Sequence, residues 1–153
     1  MMKKEFSKRD IDMAYLAGIL DGEGCIRVRN VVKNKLCLVV TVQQTDEEPL
    51  ILFKAYFGGS LRRKSKLTTG GLQVFRYYAS RRNAVRLLEQ LSPYLIIKKS
   101  RADLGIKMSS IKLSHGGKDS RIGEKWKLAK QLVSLNSSKG GISKIITTPI
   151  PPS

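Results

Sequence analysis

Two carboxylates, Asp21 and Glu23, stand one residue apart at the end of the apolar run Leu16-Ala17-Gly18-Ile19-Leu20, interleaved with Gly22 and Gly24. Asp10 reads as the N-cap of a helix that begins at Ile11, and Gly22 and Gly24 end it, so both acids fall at the helix C-terminus. Carboxylates there face the negative end of the helix dipole, which calls for something else to hold them. Small residues recur on the same helix: Ala14, Gly18 and Gly22 are spaced by four and share one face. Such a face lets a second helix backbone come close. Glycine inside a helix costs about 1 kcal/mol against alanine, a poor bargain if the helix only packs on its own sheet.

Positive charge is concentrated elsewhere. The 153 residues include 29 Lys+Arg against 12 Asp+Glu, a net charge of +17. An excess of that size opposes compaction unless a polyanion is the working partner, which points to nucleic acid without separating DNA from RNA. Neither Cys25 to Gln43 nor Ser60 to Ala79 contains a carboxylate, so surface solubility is a weak account of their basic residues. The length suits one domain, and 41% apolar with 27% charged residues is a globular composition. Two cysteines, Cys25 and Cys37, fit a reducing interior. With a single histidine, His115 in a glycine-rich surface loop, they cannot supply four ligands to a structural zinc. Placed on two strands that turn near Asn34, they are too far out of register for a disulfide. No run approaches the roughly 20 apolar residues of a membrane span, and the N-terminus lacks an apolar signal core. The expectation is an intracellular protein with no membrane partner.

The elements that must position these residues follow from periodicity. Cys25 to Val32 alternates at period two, with Ile26, Val28 and Val32 on one face and Arg27 and Arg29 on the other. Lys33-Asn34-Lys35 is a turn and Leu36 to Gln43 the return strand. Leu38, Val40 and Val42 take its core face, which leaves Cys37, Val39, Thr41 and Gln43 on the other. Asp46-Glu47-Glu48-Pro49 opens a second helix carrying Leu50, Phe53 and Phe57, and Gly58-Gly59 stops it. A second hairpin runs from Ser60 to Leu67, turns at Thr68-Thr69-Gly70-Gly71, and returns from Leu72 to Ala79. Leu61 and Leu67 mark its core face, so Arg62, Lys64 and Lys66 point away. The faces of the last strand stay open: Gln73 and Tyr77 share one, Arg76 takes the other, and aromatics occupy both. Ser80 caps a third helix with Val85, Leu88 and Leu91. Helices over Lys98 to Lys112 and Arg121 to Leu135 follow. The fold class is α+β, in the order α-β-β-α-β-β-α, with a four-stranded antiparallel sheet, helices on one face and extra C-terminal helices. One domain is expected over 1–136, with 137–153 as an extended, mobile tail.

Leu16-Ala17-Gly18-Ile19-Leu20-Asp21-Gly22-Glu23-Gly24 resembles the LAGLIDADG motif, with Glu23 where Asp is usual. Val42-Gln43-Gln44-Thr45-Asp46, Phe57-Gly58-Gly59-Ser60 and Leu91-Ser92-Pro93-Tyr94-Leu95-Ile96-Ile97-Lys98 also fall where the LAGLIDADG homing endonucleases have them. The resemblance covers roughly residues 12 to 112. It implies metal-dependent double-strand breaks at a long pseudo-palindromic DNA site, as in intron homing. A chain with one motif is then a symmetric homodimer, with Ala14, Gly18, Asp21 and Gly22 at the helix pair and Asp21 hydrogen-bonding across it. Glu23 becomes catalytic as a metal ligand, joined by the Gly22 carbonyl, for Mg²⁺ or another divalent ion such as Mn²⁺; Ca²⁺ would bind without supporting cleavage. Gln44 would position water, with Gln43 its competitor by register, and Lys98 would polarise water or the transition state. The other readings are an RNA maturase acting on intron RNA, or a non-cleaving DNA-binding regulator of the same fold.

A two-stranded ribbon fits the major groove of double-stranded DNA, where arginine and lysine commonly read guanine edges. The candidates are Arg27, Arg29, Lys33, Gln43, Arg62, Lys64, Lys66 and Gln73. An eight-residue strand spans about 26 Å. That is roughly eight base pairs per half-site and about 20 for a symmetric pair. Arg81, Arg82, Lys99, Arg101 and Lys107 are assigned to phosphates.

Overall fold

The computed structural model describes residues 4–31, 35–65, 67–113 and 121–136. Lys33, Lys66, His115 and the segment from residue 137 onward, all named above, lie outside the described residues. In chain order the elements are α1 (Lys8–Glu23), β1 (Gly24–Asn30), β2 (Leu36–Gln44), α2 (Glu48–Phe57), β3 (Ser60–Arg63), β4 (Phe75–Ser80), α3 (Arg82–Leu91), a 3-10 turn (Ser92–Tyr94), α4 (Lys99–Ser110) and α5 (Ile122–Asn136). The fold is α+β, with one four-stranded antiparallel sheet in the order β1-β2-β4-β3.

Period-two alternation gives the sheet an inner and an outer face. Ile26 and Val28 on β1, Leu38, Val40 and Val42 on β2, and Tyr77 and Ala79 on β4 are buried in one core with Leu16, Leu20, Phe53, Leu88 and Trp126 from the helices. The register aligns these side chains: Ile26 faces Val40, Val40 faces Ala79, and Val42 faces Tyr77. Full burial of a large apolar side chain contributes about 1.5–3 kcal/mol, so this face sets the register of every strand. The outer face carries Arg27 and Arg29, Gln43, Arg62, Arg76 and Tyr78.

Several local expectations are corrected. Ser7, not Asp10, caps α1: the Asp10 amide donates to Ser7 Oγ at 3.1 Å, and the Ser7 amide donates to the Asp10 carboxylate at 3.0 Å. This reciprocal capping box starts the helix earlier. At its other end the helix runs through Gly22 to Glu23, and Gly24 is the cap. Ser80 belongs to β4, and α3 is entered through Arg81 at φ 54°, an uncommon conformation for a residue other than glycine. β3 stops at Arg63, so alternation does not carry to Leu67, which is 54% exposed. The turn beyond it closes as expected, with the Gly71 amide donating to the Thr68 carbonyl at 2.9 Å.

Candidate active site and nucleic-acid interface

Helix α1 has two faces with different occupants. Met13, Leu16, Ala17 and Leu20 are buried in the core. Ile11, Ala14, Tyr15, Gly18 and Gly22 are exposed, and a side chain built at Gly18 or Gly22 would meet nothing within 4 Å. Packing against the sheet therefore does not explain these glycines. The face they share with Ala14 is smooth and unfilled within the chain.

The helix passes into β1 without a loop. At Gly24 a side chain would lie 2.7 Å from the Leu20 carbonyl oxygen, which makes glycine the residue for this junction. Glu23 is thereby held exposed at the last helical position, and the helix's final carbonyls, Gly22 among them, have no intrahelical partner. A carboxylate and main-chain carbonyls are hard oxygen donors of the kind that suit Mg²⁺. Among the described residues no group of three or more His, Cys, Asp and Glu forms within one chain. One helix end thus offers part of a coordination shell.

Asp21 turns away from the helix's open face. Its carboxylate accepts hydrogen bonds from the amides of Ile96 (2.8 Å), Ile97 (3.3 Å) and Lys98 (2.9 Å). These three bonds lie within its own chain. Burial alone would raise its pKa, but the three amides and the Lys98 charge outweigh it and hold the carboxyl below its ordinary value. Lys98 is only 8% exposed, and its ammonium donates to the Asp21 carbonyl at the negative end of α1. Burial lowers its pKa, with Arg101 adding to the effect, while Asp21, Cys25 and Glu23 pull the other way. Lys98 and Glu23, 75 residues apart in sequence, are neighbours at one helix end.

The two glutamines divide at the end of β2. Gln43 is on the outer face opposite Arg76 and accepts from Lys64 Nζ at 3.0 Å. Gln44, expected to position water, pairs with Phe75 and has the parity of core residues Val40 and Val42. Since the β1–β2 ladder ends at Gly24 and Val42, Gln43 is the outer-face residue next to the end of α1.

On the sheet, Arg27, Arg29 and Arg62 are exposed and Lys64 half-buried, all as expected of an outer face. Gln73 is tied down locally, its Nε2 donating to the carbonyls of Lys64 (2.7 Å) and Val74 (3.0 Å). Arg76 and Tyr78, whose strand the alternation left open, join the outer face because Tyr77 and Ala79 are core. Arg29, Ser60, Arg62, Arg76 and Tyr78 line a cleft of about 330 Å³. Arg62 and Arg76 are cross-strand partners, an unfavourable like-charge pair, and Arg76 Nε is buried without a partner. Arg29 donates to the Tyr78 hydroxyl at 3.0 Å. That bond crosses β2 above Val39, which is fully buried although it lies on the outer face. Parity assigns Arg76 to the outer face once Tyr77 is known to be buried.

No family model matches the chain. The intron-encoded DNA endonuclease ai2b of Dictyostelium discoideum is 28% identical over 85 residues, 55% of this chain and 32% of that one, so the chain spans about a third of the length of this curated relative. The homing endonuclease I-CvuI, solved with its DNA target in 2 mM Ca, superposes with a TM-score of 0.69 at 25% identity over 90% of this chain and 89% of that one. Its complex with the I-CreI target in 2 mM Mg gives 0.67 at 26% identity, with 89% and 88% covered. The chain shares the fold of these homing endonucleases and is similar to them in sequence. The LAGLIDADG homing endonuclease I-GzeII, also bound to DNA, matches in fold at 19% identity and a TM-score of 0.60, over 92% of this chain but 50% of its own. This fold thus makes up nearly all of the I-CvuI chain and half of the I-GzeII chain.

Proposed function

We propose that this protein is a homing endonuclease that works as a symmetric homodimer and cuts both strands of a long, pseudo-palindromic DNA site. The observation that carries this reading is the outward face of α1, where glycines meet nothing in their own chain and lead to an exposed acid beside a basic sheet. Two such faces packed together bring two Glu23 carboxylates to the centre of the molecule, where each would repel the other without a cation between them. The fold is consistent with this, since one copy superposes on half of I-GzeII.

In this reading Glu23 and the Gly22 carbonyl hold a divalent cation, with Mg²⁺ first and Mn²⁺ as a substitute. When bound, that ion supplies polarisation of the scissile phosphate and a more acidic water. Lys98 presents a largely desolvated positive charge near Glu23, where negative charge develops on the phosphate. Register favours Gln43 over Gln44 for orienting water. Arg27, Arg29, Arg62, Lys64 and Arg76 meet the major groove, with the Arg62–Arg76 pair relieved by the guanine acceptors or phosphates it would face.

Selection of cleaved sites from a randomised duplex library with magnesium tests activity, symmetry and site length together. The expected product is a set of near-palindromic sites of about 20 base pairs. Glu23→Gln is expected to abolish cutting and leave binding largely intact. Cutting that survives in this variant, or in chelator, would overturn the assignment.

A further inference from the structure

The segment Ile96–Lys98 has little apolar packing to hold it. Ile96 and Ile97 are 86% and 70% exposed, so burial within the chain does not anchor them. Its three successive amides instead converge on one carboxylate, that of Asp21, forming a nest for an anion. The same residue receives the Lys98 ammonium on its carbonyl. Asp21 therefore holds both ends of Lys98, its main chain through the carboxylate and its side-chain tip through the helix terminus.

We infer that Asp21 is a positioning residue, whose carboxylate fastens the 96–98 segment to the end of α1 and so sets the Lys98 ammonium beside Glu23. The inference rests on the proposed part of Lys98 in cleavage. Removing the carboxylate leaves three amides without their acceptor and a segment with two exposed isoleucines free to swing. The ammonium would then exchange its carbonyl for solvent, and the positive charge at the cleavage centre would be lost without any change to Glu23.

The test compares Asp21→Ala, Asp21→Asn, Lys98→Ala and the double variant Asp21→Ala/Lys98→Ala in the full chain. One readout needs no DNA: acetylation by an amine-reactive reagent, followed residue by residue by mass spectrometry. Lys99, with a 53% exposed side chain, serves as the internal control. Lys98 is expected to react far more slowly than Lys99 in the wild type and as fast as Lys99 in Asp21→Ala. The second readout is single-turnover cleavage of a selected site at saturating protein. Asp21→Ala should lose as much rate as Lys98→Ala, and the double variant no more than either, because both remove one interaction. Should Asp21→Ala fail to fold, Asp21→Asn carries the comparison, keeping one acceptor oxygen and giving an intermediate loss of protection and rate. Wild-type cleavage by Lys98→Ala would remove Lys98 from the mechanism and this inference with it. A slow Lys98→Ala combined with unchanged protection in the Asp21 variants, or with multiplicative losses in the double variant, would overturn the positioning role and leave the endonuclease reading standing.

Discussion

Gly18 on α1 and Gly105 on α4 interrupt two helices for opposite reasons. A side chain at Gly105 would lie 2.7 Å from Leu38 Cδ1 and 3.5 Å from Leu132 Cδ1, so this glycine lets α4 settle on β2 inside the chain. At Gly18 there is nothing within 4 Å. One glycine is accounted for by its own fold. The other carries the helix-propensity penalty with no return in the isolated subunit, which is what a surface made to receive another backbone looks like. Glycine in a helix is thus informative only once its surroundings are known.

The contrast can be broken most directly by Gly18→Leu. If α1 packs on a second α1, four new carbon atoms on each copy should weaken dimerisation by about 2–6 kcal/mol, counting about 1–3 kcal/mol of overpacking on each side. Sedimentation equilibrium should find folded monomers, and a dimer of undiminished affinity would refute the packing. Gly105→Val should do the reverse. Its cost, about 1–3 kcal/mol of folding stability, should appear in chemical denaturation while the oligomeric state stays as it was. Unchanged stability there would mean that Leu38 yields more easily than the 2.7 Å approach implies.

The same logic extends to the outer face of the sheet. Arg76→Ala removes one of two opposed guanidiniums and should relax base preference at one symmetric pair of site positions by about 1–3 kcal/mol. Equal weakening on all sequences, with a shallower salt dependence, would reassign Arg76 to phosphate. The smallest effect sharpens the contrast best. Gly18→Ala should stabilise the subunit by about 1 kcal/mol when measured dilute enough to be monomeric, since the added methyl gains helix propensity and meets no neighbour. A destabilised monomer would show that Gly18 serves its own chain after all.

Much of the fold was legible because its signals are local. The glycine-spaced helix, the alternating hairpins and the proline-opened α2 each depend on neighbours within a few residues, and their order is that of the homing endonuclease fold. Single-residue rules failed where a second residue, near or far, decided the outcome. Asp10 reads as the cap because it precedes the apolar run, whereas Ser7 and Asp10 act as a reciprocal pair. Alternation puts Leu67 on the core face, but the β3–β4 ladder ends at Arg63 and Phe75. Aromatics at both 77 and 78 blur the parity of Arg76, and only the burial of Tyr77 resolves it.

Read alone, the residues determined that a helix with one smooth face ends in an acid, that two carboxylate-free hairpins follow it, and that the net charge calls for a polyanion. Those properties reside in side-chain type and short-range periodicity, which the chain expresses before it folds. Tertiary structure decided that β4 lies beside β2, so that Arg29, Arg62 and Arg76 share a cleft, and that Asp21 grips residues 96–98. These pairings join residues up to 77 apart in the chain. They arise from the burial of one common core, which sets where each backbone lies and which polar groups are then left to meet.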